Sequence, residues 1–131
     1  MADHPNVDGA RTSLEALMKG DIDTMAAGIA DEAVWHIPGT NRWAGDFTGK
    51  PAIMGRFQRM MEAGVRTQID EIHDIVGNED HVVALVKVTL TAPSGSVSQR
   101  STWIMHARDG KATEFWAHNA DQAGIDTLLG A

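Results

Sequence analysis

The stretch HVVALVKVTLTAPSGSVSQRSTWIMHARDGKATEFWAH, residues 81–118, decides the fold class. Val82, Val83, Val86, Val88, Thr89 and Thr91 are β-branched, a shape that packs well on a pleated surface, so residues 81–91 predict a strand. Pro93-Ser94-Gly95 turns it. Residues 97–107 and 111–118 predict a hairpin across Asp109-Gly110, a dipeptide that tolerates the positive φ angles of a tight turn. Three strands joined by short turns form an antiparallel meander.

Upstream the period changes. Leu14, Leu17 and Met18 recur at helical spacing from Asp8 onward, and Gly20 supplies a stop. Residues 1–7, with a proline and few apolar groups, read as a loose tail. Asp21 caps a second short helix with Ile22, Met25, Ala26 and Ile29 on one stripe. Residues 33–37 read as a strand ended by Pro38-Gly39, and the segment 39–50, with Gly39, Gly45 and Gly49, as a loop. Pro51 fits the first turn of a third helix whose apolar face is Ile53, Phe57, Met60 and Met61, up to Gly64. In residues 67–76 the positions Ile69, Ile72, His73 and Val76 fit a helix as well as a strand. Downstream of the meander, Asp121 caps a last short helix with Ile125, Leu128 and Leu129 on its face. Helices first and strands later, in 131 residues without a linker, predict one α+β domain.

Composition narrows the function. With no cysteine there is no disulfide and no thiolate nucleophile. The start MADHPNVDGARTS lacks a basic-then-apolar leader, and no run approaches the ~20 apolar residues of a membrane span, so a cytoplasmic protein with no membrane role is expected. Eleven Lys and Arg against eighteen Asp and Glu leave a net charge of −7, which repels a phosphate backbone and argues against a nucleic-acid partner. Four tryptophans and no tyrosine leave no phenolic donor. No His-x-His or His-x-x-x-His pair and no Gly-rich phosphate cradle occurs, so neither a metal nor a cofactor is expected. Asp70, Glu71 and Asp74 read as a solvated face.

In its order of elements the chain resembles the SnoaL-like and ketosteroid-isomerase-like branch of the nuclear transport factor 2 superfamily. The resemblance rests on Gly20-Asp21-Ile22-Asp23, on residues 31–39 (DEAVWHIPG), and on Gly45 and Gly49 before the third helix. Arg108-Asp109-Gly110-Lys111, Glu114-Phe115-Trp116 and Asp121 complete it. It implies a cone of three N-terminal helices on a curved, mostly antiparallel sheet with a short C-terminal helix, a pocket between them for a small apolar ligand, and commonly a homodimer. It also implies a strand for residues 67–76.

The general-base aspartate, the tyrosine and the protonated aspartate of ketosteroid isomerases in that superfamily fall on Ile37, Ser13 and Thr102 here, none of which transfers a proton at neutral pH. Of the epoxide-hydrolase pattern, Arg100-Ser101-Thr102 keeps the arginine without its aspartate, and Asp121 lies near the second aspartate. A SnoaL-type cyclase needs a base and donors for an enolate, and histidine suits the first task. Three histidines, 36, 106 and 118, fall on predicted strands. The leading expectation is therefore a cofactor-free enzyme acting on a small hydrophobic carbonyl compound. His36 is the first candidate base, with Arg100, His118 and Asp121 beside it, and Trp35, Ile37, Trp43, Phe57, Thr102, Phe115 and Trp116 touch the ligand. Trp43 in the Gly-rich loop is the candidate lid. The alternatives are a non-catalytic binder of an apolar metabolite, a dimerisation module and, behind both, an epoxide hydrolase. By alternation Arg100, Thr102, Ile104 and His106 share one face, as do Glu114, Trp116 and His118. Pointing inward these faces make a polar pocket, and pointing outward a dimer surface.

Overall fold

A computed structural model describes residues 3–130. The first helix, α1 (Pro5–Lys19), starts earlier than its apolar spacing suggests. Pro5 occupies its first turn, where a missing N–H costs nothing, and the His4 ring Nδ1 accepts from Asn6 N at 3.1 Å. The expected tail at residues 1–7 is therefore corrected from Pro5 onward, since Asn6 and Val7 are buried, and residues 1 and 2 lie outside the described residues. Gly20, at φ 76°, ends α1 in the left-handed conformation. Asp21 then caps α2 (Ile22–Ala27) by accepting from Thr24 N.

Strand β1 (Ile29–Ile37) is longer than its predicted core, and the segment read as a loop contains β2 (Gly45–Thr48), antiparallel to it. Helix α3 (Lys50–Glu62) follows with Pro51 in its first turn. The stretch left open by local pattern is β3 (Arg66–Gly77), paired along its length with β4 (His81–Ala92). Strands β5 (Gly95–Arg108) and β6 (Lys111–Asn119) complete the meander across Asp109-Gly110, at φ 54° and 77°. Asp121 caps α4 (Gln122–Leu129).

The six strands form one sheet in the order β2-β1-β6-β5-β4-β3, with β1 and β6 parallel and every other pair antiparallel. Irregular register within β3 and between β1 and β6 adds local twist to the sheet. Among the described residues, the four helices lie on one face of the sheet, where residues of each border the same opening. One apolar cluster packs Val7 and Leu14 of α1 against Val82, Val88, Trp103, Met105 and Phe115. A second joins Ala16, Met25, Ala33 and Ile53, and a third joins Trp43, Met60, Leu90 and Ile125. The helices seal the rim of the sheet and leave its centre open beneath them.

Candidate ligand cavity

That opening is a cavity of about 440 Å³, inside the 300–1,000 Å³ range of small-molecule sites. Strand parity makes its floor. Cross-strand register sets Phe47, Trp35, Phe115, Met105 and Val82 in one row on the helix-facing side, and all but Phe47 line the cavity. The Trp35 and Phe115 ring centroids are 4.8 Å apart, and Trp103 meets Phe115 edge-on at 5.6 Å, so the floor is a rigid aromatic sheet. Leu14 and Leu17 of α1, Phe57 and Met60 of α3 and Ile125 of α4 form the roof.

Polar side chains are a minority of this wall, which includes the cations Arg56, Arg66 and Lys111. Asn41 is buried, donating to Asp126 Oδ1 at 2.7 Å and accepting from Trp43 N at 2.9 Å. Gln99 is buried and accepts from Asp121 N at 2.7 Å, which commits its carbonyl end and leaves its NH2 as the group to offer. Arg56 is buried and donates through Nε to the Trp43 carbonyl at 2.9 Å. Burial, helped by the like charge of Arg59, pulls its pKa down to about 10, and it stays charged at neutral pH. Trp35 Nε1 is buried without a hydrogen-bond partner. Among the described residues the lining contains no aspartate, glutamate or histidine.

Of the expected site residues, Trp35, Ile37, Phe57 and Phe115 line the cavity, as does Ser13. The four candidate catalytic groups do not converge there. His36 lies on the opposite face of the sheet, in an outward row with Asp46, Trp116 and Ile104. Arg100 and His118 are exposed on that same face, and Thr102 pairs with His118 rather than facing the helices. Asp121 is exposed and its Oδ1 accepts from Gly124 N at 2.9 Å, so its carboxylate is a helix cap. A side chain at Gly124 would run into that carboxylate. Trp43, the candidate lid, is a buried wedge among α3, β4 and α4 rather than part of the lining.

Outside, His36 Nδ1 lies 2.8 Å from Asp46 Oδ1 and Nε2 lies 2.6 Å from Glu114 Oε2, with the ring stacked on Trp116 at 5.1 Å. His106 Nδ1 reaches the other oxygen of Glu114 at 3.2 Å. Hydrogen bonds donated by the ring to Glu114 and then Asp46 hold the His36 pKa above its ordinary value. A raised folded-state pKa gives stability that is complete below the unfolded value near ~6.5 and is lost as pH rises through the folded value. His36→Gln is therefore expected to cost more at pH 6 than at pH 9, read by urea unfolding at both. A pH-independent cost would show that the imidazole is not held charged.

Residues 10–115 match the SnoaL-like domain. The chain belongs to the SnoaL-like family. Its architecture is that of nuclear transport factor 2-like proteins. An uncharacterised protein of Mycobacterium tuberculosis is 22% identical over 129 residues, 98% of each chain. A Xanthomonas campestris protein of unknown function, described as having a cystatin-like fold, superposes with a TM-score of 0.89 at 25% identity, covering 96% of this chain and 98% of that one. A putative polyketide cyclase from the same species superposes at 0.76 with 20% identity, covering 96% and 97%.

Within this SnoaL-like cavity the residues that sequence reasoning passed over are Arg56, Asn41 and Gln99. Arg56 had a signal. On α3 it falls between Ile53, Phe57 and Met60 at helical spacing, which makes it the one cation on an apolar stripe. Asn41 and Gln99 had none, because nothing local marks a polar residue as buried.

Proposed function

We propose that the chain is a ligand-binding SnoaL-like protein that encloses a small apolar compound without supplying the base for a proton transfer. One observation carries this: the lining is apolar and, among the described residues, holds no carboxylate or imidazole. Proton abstraction needs a group whose pKa lies near the working pH. The polar side chains of the lining are amides, hydroxyls, Lys111, Arg66 and Arg56, the last titrating near 10, and none is a carboxylate or imidazole. The cyclase or isomerase reading, with His36 as base, loses its support because His36, Arg100 and His118 face away from the cavity. The ligand itself still fits the expectation of a compact apolar body with a polar oxygen, since the Gln99 amide and the Arg56 guanidinium are donors on a mostly apolar wall.

The reading includes a homodimer. The outward face of β5 and β6 carries Thr102, Ile104 and Trp116 only half-exposed in the single chain, and a second copy seated there would cover them. A thermal-shift screen of neutral and anionic aromatic compounds tests binding, because a ligand at about 100 times its Kd adds roughly 2.7 kcal/mol to the folded state. Stabilisation without turnover of the bound compound is expected. Conversion of any stabilising ligand would return the enzyme reading, and light scattering on the same samples reads the assembly, where a single-chain mass would remove the dimer.

A further inference from the structure

Arg56 is 8% exposed, yet the influences on its charge are burial and the repulsion of Arg59, with no carboxylate among them. A buried cation without a counter-charge is costly, and proteins ordinarily pair it or replace it with an apolar residue. Here it is retained in the middle of the apolar stripe of α3, on the wall of the cavity. Nε is committed to the Trp43 carbonyl, and the guanidinium carbon lies 5.3 Å from the Phe47 ring centroid. These two contacts fix the plane of the fork and leave both terminal nitrogens, which is the half that grips a carboxylate with two parallel bonds.

A second donor lies close by. Phe47 and Trp35 are direct partners across β2 and β1, so their side chains project from the same face, and the ring that carries the guanidinium is the neighbour of the indole. Trp35 Nε1 is the buried donor that has no partner. Because Trp35 Nε1 has almost no surface open to the cavity, the indole marks the dry end of the site, and Arg56 is the donor that an anion would meet there; Arg66 and Lys111 are the other cations of the lining.

We propose that the cavity takes an organic monoanion, an apolar ring or short chain bearing one carboxylate, sulfonate or enolate, with the anionic group on Arg56. This rests on the ligand-binding reading and narrows it. The net charge of −7 disfavours anions at the surface as a whole, so a preference for them has to come from a local cation.

Matched probes test it: 8-anilinonaphthalene-1-sulfonate against its neutral counterpart N-phenyl-1-naphthylamine, titrated by fluorescence into the full chain. The sulfonate is expected to bind about tenfold or more tightly, the size of a charge-assisted hydrogen-bond pair, and Arg56→Met should bring the ratio to about one with Arg56→Lys between. Competition on the unaltered protein keeps the test alive if a variant does not fold. Octanoate should displace the neutral dye at about a tenth or less of the concentration that 1-octanol needs. Equal affinities for the two dyes, or a ratio that survives Arg56→Met, overturns the anion assignment and leaves the apolar pocket standing. Failure of both dyes to bind overturns the pocket reading and this inference with it.

Discussion

Replacing Asn6 by alanine is expected to lower stability by about 2–4 kcal/mol, although nothing in the sequence around it suggests a structural residue. Its Nδ2 donates to the carbonyls of Asn78 at 3.0 Å and Glu79 at 2.9 Å, and its Oδ1 accepts from Gly110 N at 2.8 Å. One amide thus ties the first turn of α1 to the β3–β4 turn and the β5–β6 turn. The side chain is buried, so alanine leaves two carbonyls and one N–H short of partners at once. The packing leaves little slack nearby, since a side chain at Gly9 would collide with the Gly110 carbonyl. Each lost bond is worth roughly 1 kcal/mol, and for a chain of this size each kcal/mol moves Tm by about 3–5 °C. Urea unfolding measures the loss, and amide exchange at Gly110 locates it. A loss under about 0.5 kcal/mol would show that solvent replaces the three bonds.

Ala117→Trp is expected to weaken ligand binding about a hundredfold while leaving the protein folded. Ala117 lies on β6 between Phe115 and Asn119, on the helix-facing side, and lines the cavity. An indole there projects into open space rather than into close-packed core, so the stability change should stay within about 3 kcal/mol of either sign. The space it occupies is drawn from a cavity of about 440 Å³, and a ligand that fills that volume can no longer enter. Titration with the neutral dye should show affinity falling by about a hundredfold, roughly 2.7 kcal/mol. Retention of binding within about threefold would place the ligand elsewhere on the molecule. The same substitution separates inner from outer face, because Trp116 next to it points away and its replacement by alanine leaves the cavity untouched.

The elements were largely legible in the chain because their signals are local. Val82, Val86 and Val88 mark a strand by shape, Ile53, Phe57 and Met60 mark a helix by spacing, and Asp109-Gly110 marks a turn by the dihedral angles it tolerates. Asp21 and Asp121 are caps whether or not the rest of the chain is present, since their acceptors serve backbone N–H groups three residues on. Pro5 deceived for a local reason as well: a proline reads as a break and also as a helix start, and only the burial of Asn6 and Val7 selects the second.

Which face of the sheet is the inside was not legible. Alternation sorts Trp103 from Ile104 and Phe115 from Trp116, but each strand carries an aromatic or aliphatic side chain on both faces, so the pattern reads the same when inverted. The choice is made by where α1 to α4 dock, and that docking rests on contacts such as Asn6 to Gly110 that span 104 positions. It turned His36, Arg100, Thr102 and His118 outward and left the cavity to Trp35, Phe115, Gln99 and Arg56. The sequence by itself determined the α+β order, the meander and the caps, since periodicity and dihedral preference act over a few residues. Only the tertiary structure decided which side chains meet a ligand, because a side chain's environment is set by the elements packed against it.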